Sequence, residues 1–349
     1  MYNYNEFDRV IILGAGFSKA FSKEMPTILN LSEYLFKENW LKDRSDYIGL
    51  NKFINKFKSI NYNQEDFKKI ENVATAIFSD KMSYDFHEKE QSERLKFQLM
   101  KFIYVNLRDC KVDDSSKSVL LDFIKYIINE HSDNGSNNGK NLLITFNYDL
   151  LLEDFLKNIQ ARLGVYCSGN IYFDYGINFQ KYPCQSIFPE PNKTKPFLLL
   201  KLHGSFNWFK AKGIDDINIH SIFQVDPDDK NIEIYQNDIP IFIPMAHTKE
   251  LFLHGTLYNT LWAKAKNYLS KAKEIYFIGY GFPETDINNL LYFHGLRNKI
   301  KKIVVYYDNS MEKDLIRLIQ IFGKGKIENI DAVEYLSRNA HLFCRWKID

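Results

Sequence analysis

Residues 9–18 read RVIILGAGFS, a short β-branched and apolar run that ends in a glycine turn. The run at 9–13 has no polar alternation, which is typical of a strand buried on both faces of a parallel sheet. Gly14 and Gly16 let the backbone approach a phosphate without a Cβ clash, and a helix starting there favours an anion. The stretch predicts an α/β fold with a nucleotide-binding turn, although a turn that only joins strand to helix is the simpler alternative.

The turn departs from the dinucleotide fingerprint of dehydrogenases. That fingerprint places a third small residue at position 19, where this chain has Lys19, and continues to a second strand that ends in an acidic residue. Here residues 30–135 instead carry apolar residues three and four apart, as at Leu95, Leu99 and Phe102. This periodicity predicts a helical insertion after the first strand.

Four further apolar runs end in polar residues or glycines. In chain order they are 141–146, 196–202, 274–278 and 302–307, and the residues of interest that follow them are Asn147, Asp149, His203, Gly279, Gly281 and Asp308. Ligands of open α/β sheets bind outside the carboxyl ends of the parallel strands. We therefore expect these junctions and the glycine turn to form one site.

Three of these side chains suit catalysis or binding. The uncharged amide of Asn147 suits holding a water or a ribose hydroxyl, and Asp149 suits accepting a hydrogen bond from a carboxamide. Both residue types are also good helix N-caps, and that alternative stays open for them and for Asp308. The imidazole of His203 suits activating a hydroxyl or a water, and Gly204 beside it leaves room for a ligand.

Composition argues against several classes of function. The 46 Lys and Arg and 44 Asp and Glu leave a net charge of +2, so no long-range field directs the chain to nucleic acid or to a membrane. The four cysteines stand singly, without the paired spacing of a zinc site. The 28 Phe and 22 Tyr are spread along the chain, which indicates core packing. With neither a leader nor a membrane-length apolar run, the sequence predicts a cytoplasmic protein.

Three motifs resemble the hallmark motifs of sirtuins in the same order. They are GAGFS at 14–18, TFNYD at 145–149 and HG at 203–204. The resemblance implies that the second motif, with Thr145, Asn147 and Asp149, binds the nicotinamide half of NAD and that His203 acts as a base. It also implies that the first motif contacts the pyrophosphate through Gly14, Ala15, Gly16, Phe17 and Ser18.

The same resemblance extends to weaker matches. Pro26 falls in a reduced form of the loop that covers nicotinamide, without the Asp-Phe-Arg that follows the proline in sirtuins. Gly279 and Gly281 take the place of the family's Gly-Thr-Ser, and Asp308 falls where a strand-end residue binds the adenosine ribose. The implied fold is a sirtuin-like, Rossmann-type parallel sheet flanked by helices, with a large helical insertion and no zinc ribbon.

We expect one sirtuin-like domain over residues 1–349. Residues 30–135 would form the helical insertion, and residues 160–240 an irregular or small β insertion. The nucleotide-binding core would then comprise residues 1–29, 140–160, 196–210 and 240–349.

The departures from sirtuins bear on activity. In deacylating sirtuins the four-cysteine zinc ribbon helps form the peptide cleft, and its lack favours hydrolysis of NAD. The sequence motifs KLHGS at 201–205 and GYGFPETD at 279–286 resemble those of sirtuin-like NADases of bacterial antiphage defence. Examples of such NADases are the subunit that partners HerA-type ATPases and the sirtuin domain of the Thoeris effector.

The resemblance to these NADases implies an NAD+ hydrolase that uses Asn147 and His203, needs no metal and is activated by assembly. A homo-oligomer or a HerA-type ATPase partner would provide that assembly, without nucleic acid or a membrane. Protein deacylation or ADP-ribosyl transfer remains an alternative. A non-catalytic sensor of NAD or ADP-ribose that controls assembly is another.

Overall fold

The computed structural model describes eleven segments of the chain. They are residues 7–37, 45–60, 68–79, 89–128, 141–159, 173–177, 197–210, 222–224, 240–247, 256–307 and 311–343. Asp308 lies outside these segments, as does most of the predicted insertion at 160–240. The geometry below concerns the described residues.

Ten strands lie in these segments. They are β1 (Arg9–Leu13), β2 (Asn141–Thr145), β3 (Phe173–Asp174), β4 (Phe197–Lys201), β5 (Gly204–Lys210), β6 (Ile222–Gln224), β7 (Pro240–Phe242), β8 (Glu274–Ile278), β9 (Ile300–Val304) and β10 (Ile327–Glu328). Seven of them form a parallel sheet in the order β10-β9-β8-β1-β2-β4-β3. The other three form a small antiparallel sheet with β5 between β6 and β7.

The first strand lies at the centre of the parallel sheet, paired with β2 on one side and β8 on the other. Residues 10–13 of β1 and all of β2 are buried. Strands covered on both faces need continuous apolar sequence, because neither face meets water. This is why RVIIL decides the fold class, and the predicted parallel sheet is confirmed.

Eleven α-helices accompany the strands in the described segments. They are α1 (Ala15–Phe21), α2 (Ile28–Phe36), α3 (Ile48–Ile60), α4 (Ile70–Phe78), α5 (Lys89–Leu107), α6 (Lys117–Ile128), α7 (Leu151–Ile159), α8 (Thr256–Lys271), α9 (Ile287–Gly295), α10 (Glu312–Phe322) and α11 (Ala332–Asn339). Five of them, α2 to α6, lie between α1 and β2 in the chain, so a helical insertion is confirmed, whereas its bounds at 30–135 stay a prediction. No helix in the part of the chain that the structure describes is long and apolar enough to cross a membrane.

Polar contacts hold the insertion together and tie its end to α1. A capping box between Thr27 and Asn30 begins α2, and the Ile70 amide at the start of α4 donates to Ser32 Oγ at 3.0 Å. The exit from the insertion returns to the end of α1, because the Asp113 amide donates to the Phe21 carbonyl at 2.8 Å. The end of the insertion is therefore anchored at the end of α1, the helix that follows the glycine turn.

The strand predicted at 302–307 differs in its bounds from the strand in the structure. The observed β9 is Ile300–Val304, so it begins two residues earlier and ends three residues earlier than predicted. Lys302 is accommodated in the strand because its Nζ forms an ion pair with Glu328 Oε1 on the neighbouring β10 at 2.7 Å. The ion pair with β10 thus lets a lysine lie inside the strand, ahead of its apolar end.

Candidate active site

The five junctions expected to share a site end at one level of the sheet. Leu13 of β1 is in register with Thr145 of β2 and with Ile278 of β8. Thr145 is in register with Lys201 of β4, and Ile278 with Val304 of β9. Because all five strands are parallel neighbours, the residues after them emerge along one edge.

The glycine turns after β1 and β8 pack directly against each other. The Gly14 amide donates to the Ile278 carbonyl at 3.1 Å, and the Gly16 amide donates to the Gly279 carbonyl at 2.8 Å. Gly279 has φ of 72°, and a Cβ there would lie 2.0 Å from the Phe17 amide nitrogen. A Cβ on Gly14 would lie 2.5 Å from the Gly279 carbonyl oxygen. These glycines therefore allow backbone to meet backbone, a role distinct from the phosphate approach that the sequence suggests.

Asn147 is held by both hydrogens of its amide. Nδ2 donates to the Gly14 carbonyl at 2.9 Å and to Ser18 Oγ at 2.9 Å. Its backbone amide donates to Thr145 Oγ1 at 3.0 Å, and that hydroxyl donates to the Leu13 carbonyl at 3.1 Å. A carbonyl oxygen only accepts, so the end of the amide that faces Gly14 must be Nδ2. No described residue donates to Oδ1 of Asn147, which therefore remains available to a water or a hydroxyl.

Asp149 makes two side-chain contacts, and one of them is the helix-capping contact considered for it. Oδ1 accepts from the Leu151 amide at 3.1 Å, so the residue caps the start of α7. Oδ2 accepts from Ser18 Oγ at 2.8 Å, which links the carboxylate to the hydroxyl that also accepts from Asn147. Asn147 itself binds the glycine turn, and its capping alternative has no support in these contacts.

Burial sets the charge balance around Asp149. It raises the pKa of the Asp149 carboxyl, and the Lys201 ammonium and the Ser18 hydroxyl oppose that rise by stabilising the carboxylate. Lys201 Nζ donates to the Asp149 carbonyl at 2.6 Å and to Glu153 Oε1 at 2.8 Å. An ion pair of two buried groups thus lies directly behind the candidate binding residues.

His203 follows β4 at the same edge, and its side chain is 7% exposed. Its ring meets the Phe146 ring edge-on, with centroids 5.0 Å apart. The His203 carbonyl accepts from the Ile243 amide at 2.8 Å. Gly204 has φ of 81°, and a Cβ there would lie 2.1 Å from the Ile241 carbonyl oxygen. The room that we expected Gly204 to leave for a ligand is instead filled by the chain at β7.

Stacked aromatic rings connect His203 to the turn after β8. The Phe146 ring stacks on the Tyr280 ring with centroids 4.5 Å apart. Tyr280 Oη donates to Asp286 Oδ2 at 2.7 Å, and burial together with the Asp286 carboxylate raises the pKa of Tyr280 well above its usual value. Tyr280 therefore stays protonated and fixes the ring on which Phe146 rests.

The turn at 279–282 is held from its other side by two donors. Tyr307 Oη donates to the Gly281 carbonyl at 2.9 Å, and Arg317 Nη2 donates to the Phe282 carbonyl at 2.9 Å. Phe282 has φ of 51°, a conformation uncommon for a residue with a Cβ. The two donors and the burial of the Phe282 ring hold this strained backbone in place.

The remaining sequence candidates lie in different surroundings. Phe17 is 2% exposed, and its ring packs on Phe21 with centroids 4.8 Å apart, so its side chain belongs to the core. Ala15 and Gly16 are exposed at the turn, and Pro26 is half-buried in the loop between α1 and α2. No cluster of three or more His, Cys, Asp or Glu suited to a metal occurs among the residues with described positions.

Sequence reasoning passed over the charged residues that support the site. Lys201 and Glu153 were not singled out, and Asp286 was named only within a motif. Lys201 did carry a signal, because it is a single lysine inside the apolar run PFLLLKL. A charge in a buried strand requires a partner, and here the partner lies 48 residues away in sequence.

A family model described as a SIR2-like domain matches residues 141–319, more than half of the chain. The chain belongs to the SIR2-like family. The match includes Asn147, Asp149, His203 and the turn at 279–282, and it begins after the helical insertion. The sirtuin-like fold expected from the three motifs is therefore confirmed. No curated protein matches the chain.

Several solved structures of Sir2 proteins are similar to the chain at low identity. A crystal structure of a Sir2 homolog–NAD complex has 11% identity and a TM-score of 0.43, with 97% of this chain and 91% of that chain covered. A structure on the mechanism and regulation of Sir2 enzymes has 10% identity and a TM-score of 0.44, with coverage of 97% and 93%. A Sir2 bound to acetylated peptide has 12% identity and a TM-score of 0.39, with coverage of 95% and 91%. At these scores the similarities carry no argument about function.

Proposed function

We propose that this SIR2-like protein is an NAD+ hydrolase that releases nicotinamide and ADP-ribose. The observation that carries the proposal is the amide of Asn147, which is fixed by two acceptors and keeps Oδ1 open at the edge where His203 emerges. Such an oxygen orients a water or a ribose hydroxyl without itself taking a proton. A fixed acceptor at the same sheet edge as a histidine suits attack by water on a sugar carbon.

The chemistry requires no group beyond those at this edge. The bond between the nicotinamide nitrogen and C1′ of the ribose breaks, and the nitrogen keeps the electron pair, so nicotinamide leaves as a neutral molecule. A water held by Asn147 forms the new bond to C1′ and releases one proton. His203 hydrogen-bonds the ribose and assists the transfer of that proton. The site stabilises positive charge on the ribose, and this does not call for a metal.

The polar groups at the edge also fit a dinucleotide. Ala15 and Gly16 are exposed in the turn and so accessible to a pyrophosphate. In this proposal Thr145, Ser18 and Asp149 shape the site through Asn147, and Gly279 and Gly281 form its other wall.

The test is turnover of a fluorescent etheno-NAD analogue by the purified full chain, with and without partner proteins. Wild-type protein should release the fluorescent product, and Asn147→Ala and His203→Ala should each lower turnover by about 100-fold or more. Asn158→Ala, at an exposed asparagine of α7, is the matched control and should turn over like wild type. Equal rates in all four proteins would refute the site.

Three other outcomes would redirect the proposal. Release of acetyl-ADP-ribose from an acetylated peptide would indicate deacylation, and label on protein would indicate ADP-ribosyl transfer. Tight binding of NAD or ADP-ribose without turnover under every activating condition would indicate a sensor. The sequence departs from deacylating sirtuins in lacking the four-cysteine ribbon, which is why hydrolysis is preferred.

We further propose that the hydrolase acts in bacterial antiphage defence by depleting NAD+. An enzyme that consumes a central cofactor must be restrained, so activation by a homo-oligomer or by a HerA-type ATPase fits this activity. The support is the resemblance of KLHGS and GYGFPETD to such NADases, which is an analogy. Native mass measured with and without products of neighbouring genes, together with turnover in each state, tests it. A chain that is fully active as a monomer would contradict this regulation.

A further inference from the structure

Lys201 is a lysine with almost no access to water. It is the last residue of β4, and it is 1% exposed. Nζ donates to Glu153 Oε1 on α7 at 2.8 Å and to the backbone carbonyl of Asp149 at 2.6 Å. Glu153 Oε1 also accepts from Tyr175 Oη at 3.3 Å. The ammonium therefore links β4 to the loop that carries Asn147 and to the helix that follows it.

Hydrogen bonds that meet at Asp149 and at Ser18 connect this ammonium to the amide of Asn147. Lys201 holds the Asp149 backbone, and Oδ2 of Asp149 accepts from Ser18 Oγ at 2.8 Å. That same Ser18 oxygen accepts from Nδ2 of Asn147 at 2.9 Å. A shift of the Asp149 backbone would therefore move the Asn147 amide, because the Asp149 carboxylate and that amide both bind the Ser18 hydroxyl.

The strands reinforce the same connection. Lys201 is in register with Thr145, whose hydroxyl accepts from the backbone amide of Asn147 at 3.0 Å. His203 follows Lys201 by two residues, directly beyond the end of β4. One buried charge thus lies between the loop that carries Asn147 and the turn that carries His203.

We propose that Lys201 is a positioning residue that fixes Asn147 relative to His203 by holding the loop from Asn147 to Asp149. The inference rests on the proposed hydrolysis, since it concerns the geometry of the same two groups. Lys201 touches neither substrate nor reacting atom, and it acts through Asp149 and Ser18.

Charge adds a second effect to this geometry. The titratable groups that face Asp149 are Lys201 from β4, Glu153 from α7, Tyr148 in its own loop and Cys110 after α5. Loss of the Lys201 ammonium removes a cause that lowers the pKa of Asp149, so the carboxyl takes up a proton at a higher pH. A protonated Asp149 would donate to Ser18 Oγ and compete with Asn147 for that oxygen.

The experiment compares Lys201→Met with the double variant Lys201→Met/Glu153→Leu in the full chain. Breaking a buried ion pair on one side leaves an unpaired charge, whereas removing both charges leaves an apolar contact. The double variant should therefore recover the unfolding midpoint that Lys201→Met loses. If Lys201 positions Asn147, both variants should lose about 100-fold in kcat with little change in KM, because misplacement by about 1 Å has that effect. The acid limb of the pH profile should move to higher pH in Lys201→Met.

The matched control is Arg9→Met. It removes the interstrand ion pair between Arg9 Nε and Glu274 Oε2, which lie 3.0 Å apart. This pair lies at the first residues of β1 and β8, opposite the strand ends that carry the candidate site. This variant should keep the wild-type kcat and pH profile. A double variant with wild-type kcat, or an equal loss of kcat in Arg9→Met, would overturn the inference.

Amide hydrogen exchange of the peptide covering residues 145–151 separates this inference from the proposed activity. Exchange there should be faster in Lys201→Met and in the double variant than in wild type and Arg9→Met. That result supports the positioning role even if the wild type hydrolyses no NAD. Unchanged exchange in both Lys201 variants would overturn it.

Discussion

At the residue scale, Asn147 shows how the fold sets the orientation of a side-chain amide. Its two N–H groups face acceptors fixed by other elements, the Gly14 carbonyl and Ser18 Oγ. The direction of Oδ1 follows from those two bonds, because the amide is planar. Asparagine is suited to this place because it donates twice and still accepts.

The substitution Asn147→Asp tests that account. A carboxylate would face the Gly14 carbonyl, and neither group can donate, so this partly buried pair would repel. We expect Asn147→Asp to lower the free energy of unfolding by about 1–3 kcal/mol relative to Asn147→Ala. Urea denaturation of both variants measures the difference. An aspartate variant as stable as the alanine variant would show that the amide is not fixed by these acceptors.

The carboxyl of Asp149 predicts a pH dependence of stability. Its pKa in the folded protein is raised above the ordinary value of 3.8, chiefly by burial. A raised folded pKa means that its contribution to stability is fully present below the unfolded pKa and is lost as pH rises through the folded pKa. The free energy of unfolding of wild type minus that of Asp149→Asn should therefore fall as pH rises from 3.8 through the raised pKa.

Denaturant titrations of both proteins at a series of pH values measure this difference. The asparagine variant keeps a group that caps α7 but does not titrate, so other ionisations cancel in the subtraction. A difference that stays flat, or that rises with pH, would contradict the raised pKa.

At the scale of elements, the site depends on two turns that interlock. The turn after β1 and the turn after β8 share two backbone hydrogen bonds, from Gly14 and from Gly16. The contact is possible only because no Cβ stands between the chains at Gly14 and Gly279. Each turn therefore sets the position of the other, and motifs 265 residues apart form one structural unit.

The variant Gly279→Ala tests the interlock. Its Cβ would lie 2.0 Å from the Phe17 nitrogen, at a backbone φ of 72°. We expect a loss of about 2–5 kcal/mol in the free energy of unfolding, from backbone strain and forced separation of the turns. Gly295→Ala is the matched control, because no atom lies within 4 Å of its added Cβ. Its effect should stay within about 1 kcal/mol, and equal effects of the two changes would refute the interlock.

At the scale of the whole molecule, the sheet register brings five strand ends to one level. A dinucleotide is long enough to lie across several of them. Binding along this edge would contact elements from both ends of the chain, namely the turn at 14–18 and the turn at 279–282. Ligand binding should therefore stabilise the sheet as a unit.

Stabilisation by ADP-ribose tests binding without turnover. A ligand that binds only the folded state at 100 times its Kd raises the free energy of unfolding by about 2.7 kcal/mol. We expect the unfolding midpoint to rise with ADP-ribose concentration in wild type, and much less in Gly279→Ala under conditions where that variant is folded. Ribose 5-phosphate at the same concentrations is the control. A midpoint independent of ADP-ribose at every concentration would contradict a dinucleotide site at this edge.

The local sequence determined the elements that depend on near neighbours. The runs at 9–13 and 274–278 became β1 and β8 with the predicted bounds, because the buried positions of central strands require apolar residues. The helical insertion followed from apolar spacing. The motifs sufficed to place the chain among SIR2-like proteins, and TFNYD and HG lie inside the family match at 141–319, whereas GAGFS lies before it.

Only the tertiary structure decided what each motif contacts. Gly14 and Gly16 meet Gly279 and its turn, Asn147 meets Gly14 and Ser18, and Lys201 meets Glu153. These partners are far apart in sequence, and parallel strands bring them together through crossovers that leave no local pattern. Periodicity reports whether a residue is buried, whereas the register of the sheet decides what it is buried against. The amide orientation of Asn147 and the charge behind it therefore belong to the fold.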